Sequence, residues 1–278
     1  MTSSPYAEVI GNPVAHSKSP LIHRFWLDQL GLGGDYKATR VGMDELQAYF
    51  DARLADPAWR GCNITMPLKT AAHAIVVGGQ PGGAPGLNGV NLAVPRNGKL
   101  HGSATDLVGI LLPLAMSEVE APTASVTKQA VVLGAGGVLM PTIQALVNRK
   151  YRRIHVVARS PVRVEAARMV LPYVDIVHVP WGEALPSSEL LVNATPLGMH
   201  GRDDNPYDAS SVTTDGLVFE MIYHPVETGL VVDARRRGLR VIDGLQMLLH
   251  QAAPSFEAFF GVPPPRERDP ELRKLLVA

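Results

Sequence analysis

Short apolar runs alternate with segments of helical periodicity along most of the chain, and this alternation predicts an α/β fold with a largely parallel sheet. Tyr6 to Gly11 reads as a strand. Pro20 to Leu30 reads as a helix, with Ser19 as its N-cap, proline at its first position and Gly31 as its stop. Asp35 to Val41 is a predicted strand, Asp44 the predicted cap of a helix reaching Leu54, and Arg60 to Thr65 a third strand. A helix from Pro67 to Val76 follows. Val90 to Val94 and Lys99 to His101 flank Asn97-Gly98, a strong hairpin signal that adds an antiparallel part to the first sheet.

A second α/β unit starts near Gln129. Ala130 to Leu133 is a buried-strand run, followed by a glycine-rich turn and a helix to Arg149. Predicted strands follow at Arg153–Val157, Asp175–Val179, Leu190–Asn193 and Leu217–Met221, and helices at Pro161–Val170 and Thr228–Arg237, the latter stopped by Gly238. The last long helix runs from Leu245 to Phe260, before a proline-rich, charged tail. Small residues from Glu118 to Lys128 resemble a domain boundary, and glycine and proline from Gly78 to Gly89 predict a flexible loop.

Composition narrows the functional classes. The 278 residues suffice for two modest domains, and 26 basic residues balance 26 acidic ones. That balance gives no reason to expect a nucleic-acid or membrane partner. No run approaches a membrane span and no signal peptide is apparent, so a cytoplasmic protein acting on a small molecule is expected. Cys62 is the only cysteine, which excludes an intramolecular disulfide, a zinc cluster and a redox pair within the chain, and it reads as a core residue. No metal is expected, and the oligomeric state is left open, a homodimer among the options.

Two segments carry candidate chemistry. Gly134-Ala135-Gly136-Gly137-Val138 lies between a strand and a helix, where glycines admit a pyrophosphate and free N–H groups face it. Leu139 stands where the usual third glycine falls, and an ordinary tight βα turn would need the same first glycines. The next strand ends in Ala158-Arg159-Ser160-Pro161-Val162-Arg163, with no acid for a ribose 2′-hydroxyl. Two guanidinium groups suit a 2′-phosphate, so the expected cofactor is NADP rather than NAD. The other segment is Asn63-Ile64-Thr65-Met66-Pro67-Leu68-Lys69, which puts Lys69 in the first turn of a helix; Asp106 follows later in Thr105-Asp106. A lysine with a carboxylate partner can hold a proton for a reacting oxygen, although most such residues are simply solvated.

These motifs form an ordered series that resembles the shikimate dehydrogenases. It comprises Gly11-Asn12-Pro13-Val14-Ala15-His16-Ser17-Lys18-Ser19-Pro20, Asn63 to Lys69, Val90-Asn91, Thr105-Asp106 and Gly134 to Gly137. Asn193-Ala194-Thr195-Pro196-Leu197-Gly198-Met199, Tyr223-His224-Pro225 and Asp243-Gly244-Leu245 complete it. The resemblance implies reversible reduction of 3-dehydroshikimate to shikimate with NADPH. It also implies a mixed-sheet α/β substrate domain over residues 1–107, completed by 243–278, a Rossmann-like NADP domain over 108–242, and an active-site cleft between them. By resemblance Lys69 exchanges the proton and Asp106 is its partner. Ser17 and Ser19 hold the substrate carboxylate, and Thr65, Asn91, Tyr223 and Gln251 make further substrate contacts. Gly134 to Val138, Ala158, Arg159, Ser160, Arg163, Thr195, Met221 and Gly244 match the family's cofactor contacts.

The chain departs from that pattern around the reacting ring. Ser103-Ala104-Thr105-Asp106-Leu107 stands where the family commonly has Asp-Asn-Thr-Asp-Gly, and Leu92 replaces a threonine after Asn91. Ala158 replaces an asparagine, Glu220 an aspartate, and Gln246 a glycine. These changes leave open a paralogue acting on quinate, aminoshikimate or a related polyol carboxylate, or a shikimate-binding protein without turnover.

Overall fold

A computed structural model describes residues 4–76, 89–117, 128–200 and 202–278. The predicted loop at 78–89 therefore falls outside the described residues except for Gly89, as does the boundary segment from 118 to 127. The chain divides into two compact units, one of residues 1–105 and 251–278, the other of residues 106–250.

The first unit holds β1 (Tyr6–Gly11), α1 (Ser19–Gln29), β2 (Asp35–Arg40), α2 (Leu46–Leu54), β3 (Trp59–Ile64), α3 (Lys69–Ile75), β4 (Leu92–Arg96) and β5 (Lys99–Ser103). The strand order is β2-β1-β3-β4-β5. β1 pairs parallel with β2 and β3, whereas β3–β4 and β4–β5 are antiparallel, giving the expected mixed sheet. Asn97 and Gly98 close the β4–β5 hairpin at φ 52° and 71°, both left-handed, as a tight two-residue turn requires. One face of the sheet packs Phe50, Trp59, Cys62 and Leu68 into a core; on the other, Tyr36, Leu92 and Phe259 meet. Cys62 is fully buried there, and burial pushes its thiol pKa up, consistent with a packing role.

The second unit holds α4 (Asp106–Ser117), β6 (Lys128–Leu133), α5 (Leu139–Asn148), β7 (Tyr151–Ala158), α6 (Val162–Val170), β8 (Asp175–Pro180), β9 (Ser188–Asn193), β10 (Val212–Glu220), α7 (Gly229–Arg236) and β11 (Arg240–Ile242). Its six strands are all parallel in the order β11-β10-β9-β6-β7-β8. In order of appearance this is 6-5-4-1-2-3, the doubly wound nucleotide-binding arrangement, with its switch point between β6 and β9. Central strands buried on both faces explain the unbroken apolar run Ala130–Leu133. α8 (Gly244–Phe260) starts in this unit and, from Gln251 on, belongs to the first, as does α9 (Asp269–Val277). Among the described residues no helix is long and apolar enough to cross a membrane.

Two predicted caps are corrected. Ser19 is the first residue of α1 and not its cap; the cap position is Lys18, and the Ser17 hydroxyl instead accepts from the Ser19 N–H at 3.3 Å. Asp44 does not cap α2, whose cap position is Glu45; the Glu45 carboxylate reaches back to the Gly42 N–H at 2.6 Å.

Candidate active site

In the first unit, the motif residues gather where β1 and β3 end. Thr65 N–H donates to Ile10 at 2.9 Å, and Asn12 N–H to Met66 at 3.0 Å, which pins the two longest motifs side by side. Gly11 permits this approach, since a Cβ there would lie 2.4 Å from Thr65 Cγ2. Asn12–Pro13 and Met66–Pro67 are both cis. Lys69 opens α3, as expected, and its carbonyl accepts from Val90 N–H at 3.2 Å. That bond places Asn91 beside the same turn.

Asn91 is buried and grips Thr105 with both ends of its carboxamide. Its oxygen accepts from Thr105 N–H at 2.7 Å, and its nitrogen donates to Thr105 Oγ1 at 3.0 Å. The structure thus brings Ser17, Ser19, Thr65, Lys69 and Asn91 to one end of one sheet. Gln251 is half-buried in α8, and its carbonyl accepts from Ser255 Oγ. Asp106 and Tyr223 belong to the second unit: Asp106 is buried as the first residue of α4, and Tyr223 follows β10, its hydroxyl pKa raised by burial.

The second unit contains a cavity of about 780 Å³ at the switch point of its sheet. Gly134, Ala135 and Gly136 line it after β6, Arg159 and Ser160 after β7, Arg163 from α6, and Thr195 after β9. Gly134 has φ 97°, and a Cβ on it would sit 2.8 Å from Thr195 Cγ2, so this turn requires glycine. At Gly136 a Cβ would meet nothing within 4 Å, which leaves space over the backbone. Gly137 and Val138 continue the turn into α5, whose first turn has no side-chain cap to take its N–H groups.

The electrostatics of the cavity favour an anion. Arg163 Nε is buried without a hydrogen-bond partner, and burial lowers the pKa of its guanidinium. Arg159 is exposed at the rim, and Arg202, Asp203 and Asp204 edge the opposite loop. An unpaired buried guanidinium N–H beside a second arginine, with open space over a glycine turn, fits the phosphates of NADP.

A buried network sets the loops that border this cavity. Glu220 accepts from Asn193 Nδ2 at 2.9 Å, Thr228 Oγ1 at 2.8 Å and Ile222 N–H at 3.0 Å. Asn193 Oδ1 accepts in turn from Thr195 Oγ1 at 2.7 Å. Burial nevertheless raises the Glu220 pKa, because it outweighs the combined donors. Met221 and Gly244 are brought together: a Cβ on Gly244 would lie 2.7 Å from Met221 O and 2.4 Å from Ile222 O. Trp181, just past β8, also lines the cavity and was not among the expected residues. Its place beyond the carboxyl end of a strand of a doubly wound sheet was the available signal.

The matching family models and the curated relatives agree on one family. Residues 9–78 match the model of the shikimate dehydrogenase substrate binding domain, and residues 244–268 that of the shikimate 5′-dehydrogenase C-terminal domain. A shikimate dehydrogenase (NADP(+)) of Sphingopyxis alaskensis is 45% identical over 280 residues, covering 99% of this chain and 98% of the relative. The structure of shikimate 5-dehydrogenase from Thermus thermophilus in complex with NADP(H) and shikimate aligns with a TM-score of 0.82 at 32% identity, covering 98% of this chain and 99% of that one. Quinate dehydrogenase from Corynebacterium glutamicum in complex with NAD aligns with a TM-score of 0.83 at 27% identity over the same shares.

Proposed function

The chain belongs to the shikimate dehydrogenase family, and on that premise we propose that it is an NADP-dependent enzyme interconverting 3-dehydroshikimate and shikimate, with Lys69 as proton donor and acceptor. The observation that carries the reading is the gathering of Ser17, Ser19, Thr65, Lys69 and Asn91 at one sheet end. The arginine-edged cavity of the other unit supports the cofactor part. NADPH, when bound, supplies the hydride. Gly134 to Gly136 would take its pyrophosphate, and Arg159 and Arg163 its 2′-phosphate.

This chain's own groups do the rest. The hydroxyls of Ser17 and Ser19 hold the carboxylate of the substrate, and Thr65 and Gln251 hold ring hydroxyls. As the carbonyl oxygen gains negative charge, the Lys69 ammonium stabilises it and delivers the proton; in the oxidative direction the amine takes it back. Asp106, the partner of Lys69 by the resemblance, accepts from a ring hydroxyl. Positioning by these groups removes the entropic cost of bringing ketone and proton donor together. Shikimate and NADP⁺ given to the purified protein should produce NADPH absorbance, and Lys69→Ala should nearly abolish it; no turnover at any accessible pH would refute the assignment.

A second reading rests on Ala104 and Leu107, which stand on either side of Thr105-Asp106 where the family commonly has an asparagine and a glycine. It keeps the chemistry and changes the acid to quinate or aminoshikimate. Specificity constants for the three acids decide between the readings, and the highest value for shikimate removes the second.

A further inference from the structure

We propose that Trp181 is a specificity-determining contact of the cofactor site, forming an aromatic wall for the purine ring of an adenosine 2′-phosphate. The inference rests on the NADP reading and deepens it. Three observations carry it. First, Trp181 leaves the sheet beside Arg159: Ala158 is in register with Pro180, and Trp181 N–H donates to Ala158 O at 3.2 Å. The indole and the guanidinium therefore project from neighbouring strand ends into one cavity, which both line.

Second, the indole is held in place. It is half-buried, packs against the apolar cluster of Val131, Leu191 and Val218, and meets the Tyr207 ring edge-on at 5.1 Å and 79°. The next residue, Gly182, has φ 97° and donates its N–H to Tyr207 Oη at 2.6 Å, so the turn that carries the indole is tied to the same tyrosine. Third, the chemistry matches. Anchoring one end of a nucleotide by its 2′-phosphate at Arg159 and Arg163 sets its base within reach of whatever wall stands next to them. Every purine presents a π face, and an aromatic side chain is the partner that recovers the most from it.

Tyr207 is the positioning residue in this arrangement. The third tryptophan is also a convenient reporter, because Trp26 and Trp59 are buried in the first unit. Titration of the intact protein with adenosine 2′,5′-bisphosphate, followed by calorimetry and tryptophan emission, tests the proposal. Saturable quenching is expected for the unmodified protein. Trp181→Ala and Trp181→Leu should bind the bisphosphate roughly tenfold more weakly, with Trp181→Phe recovering most of the loss. Leu keeps apolar bulk against the core, so it isolates the aromatic face should Ala disturb folding. Binding without an emission change, or equal affinity for Trp and Leu, overturns the inference and leaves the NADP reading intact. Failure of the unmodified protein to bind either the bisphosphate or NADP⁺ overturns both.

Discussion

Replacing Arg163 by methionine should make the free protein more stable and its NADP complex weaker. The guanidinium Nε is buried with no partner, and such an orphan donor costs about 1–3 kcal/mol. Methionine keeps the length of the apolar stem and removes the donor, so most of that cost should be recovered, an increase in melting temperature of about 2–4 °C for each kcal/mol. If Arg163 holds the 2′-phosphate as proposed, the same substitution removes a charge-assisted hydrogen bond worth about 1.5–3 kcal/mol, or roughly a ten- to hundredfold loss of NADP⁺ affinity. NAD, which lacks that phosphate, should bind the variant as it binds the unmodified protein. Thermal unfolding without ligand, then with saturating NADP⁺, reads both effects: the order of the two proteins should narrow or invert as ligand is added. A variant less stable than the parent without ligand, together with unchanged NADP⁺ affinity, would show that Arg163 is a packing residue and refute the reasoning.

Three further outcomes are expected. Lys69→Met should lower kcat about 10²- to 10⁴-fold while leaving NADP⁺ affinity, measured by calorimetry, unchanged. Arg53→Met should destabilise the first unit by about 3 kcal/mol at neutral pH, because it deprives the buried Glu8 carboxylate of bonds at 2.6 and 3.0 Å. Burial alone pushes the Glu8 pKa up, but donors from Arg53, Thr39 and Tyr49 outweigh it and hold the pKa below the usual carboxylate value. The stabilisation is therefore present above the unfolded value and lost as pH falls through the folded one, so urea unfolding should show the two proteins converging in acid. Gly134→Ala should weaken NADP⁺ binding and destabilise the protein, since it combines φ 97° with a 2.8 Å approach to Thr195, and thermal unfolding with and without ligand measures both.

Much of the fold was legible because most elements obey a single local rule. β1 matches its predicted span, and the hairpin follows from Asn97-Gly98 alone. α7 falls within its predicted span of Thr228–Arg237, and Thr228 caps it, its hydroxyl accepting from Val231 N–H at 3.3 Å. The elements that were missed lack such a signal or present a conflicting one. α4 is apolar on every side and carries Pro113 in its interior, so it shows no helical stripe. β11 has only three residues, and its pairing with β10 is a tertiary event. α9 was hidden by the prolines before it, although Pro270 in its first turn and Leu272 and Leu276 on one face are ordinary helix signals. The two misplaced caps share one cause: a serine or an aspartate near a helix start satisfies the sequence rule, but only backbone geometry decides which residue is half in the helix.

The candidate site was legible where a residue type is rare in its setting, and less so where a common type serves two purposes. Asn91 shows the difference. The resemblance assigns it to the substrate, whereas its carboxamide is engaged at both ends by Thr105, the residue directly before Asp106. The Thr105 latch and a substrate contact ask different things of the carboxamide: the Thr105 N–H needs an acceptor, whereas a substrate oxygen needs a donor. They separate experimentally. Asn91→Ala leaves a buried Thr105 N–H unpaired, a loss of about 1–3 kcal/mol in stability. Asn91→Asp keeps an acceptor for that N–H and lets the Thr105 hydroxyl donate instead, so it should restore most of the stability. If Asn91 also donates to the substrate, the aspartate variant should remain impaired in KM for shikimate despite its recovered fold. Equal recovery of stability and KM would make Asn91 a latch alone, acting on the reaction only by holding the segment that leads into Asp106.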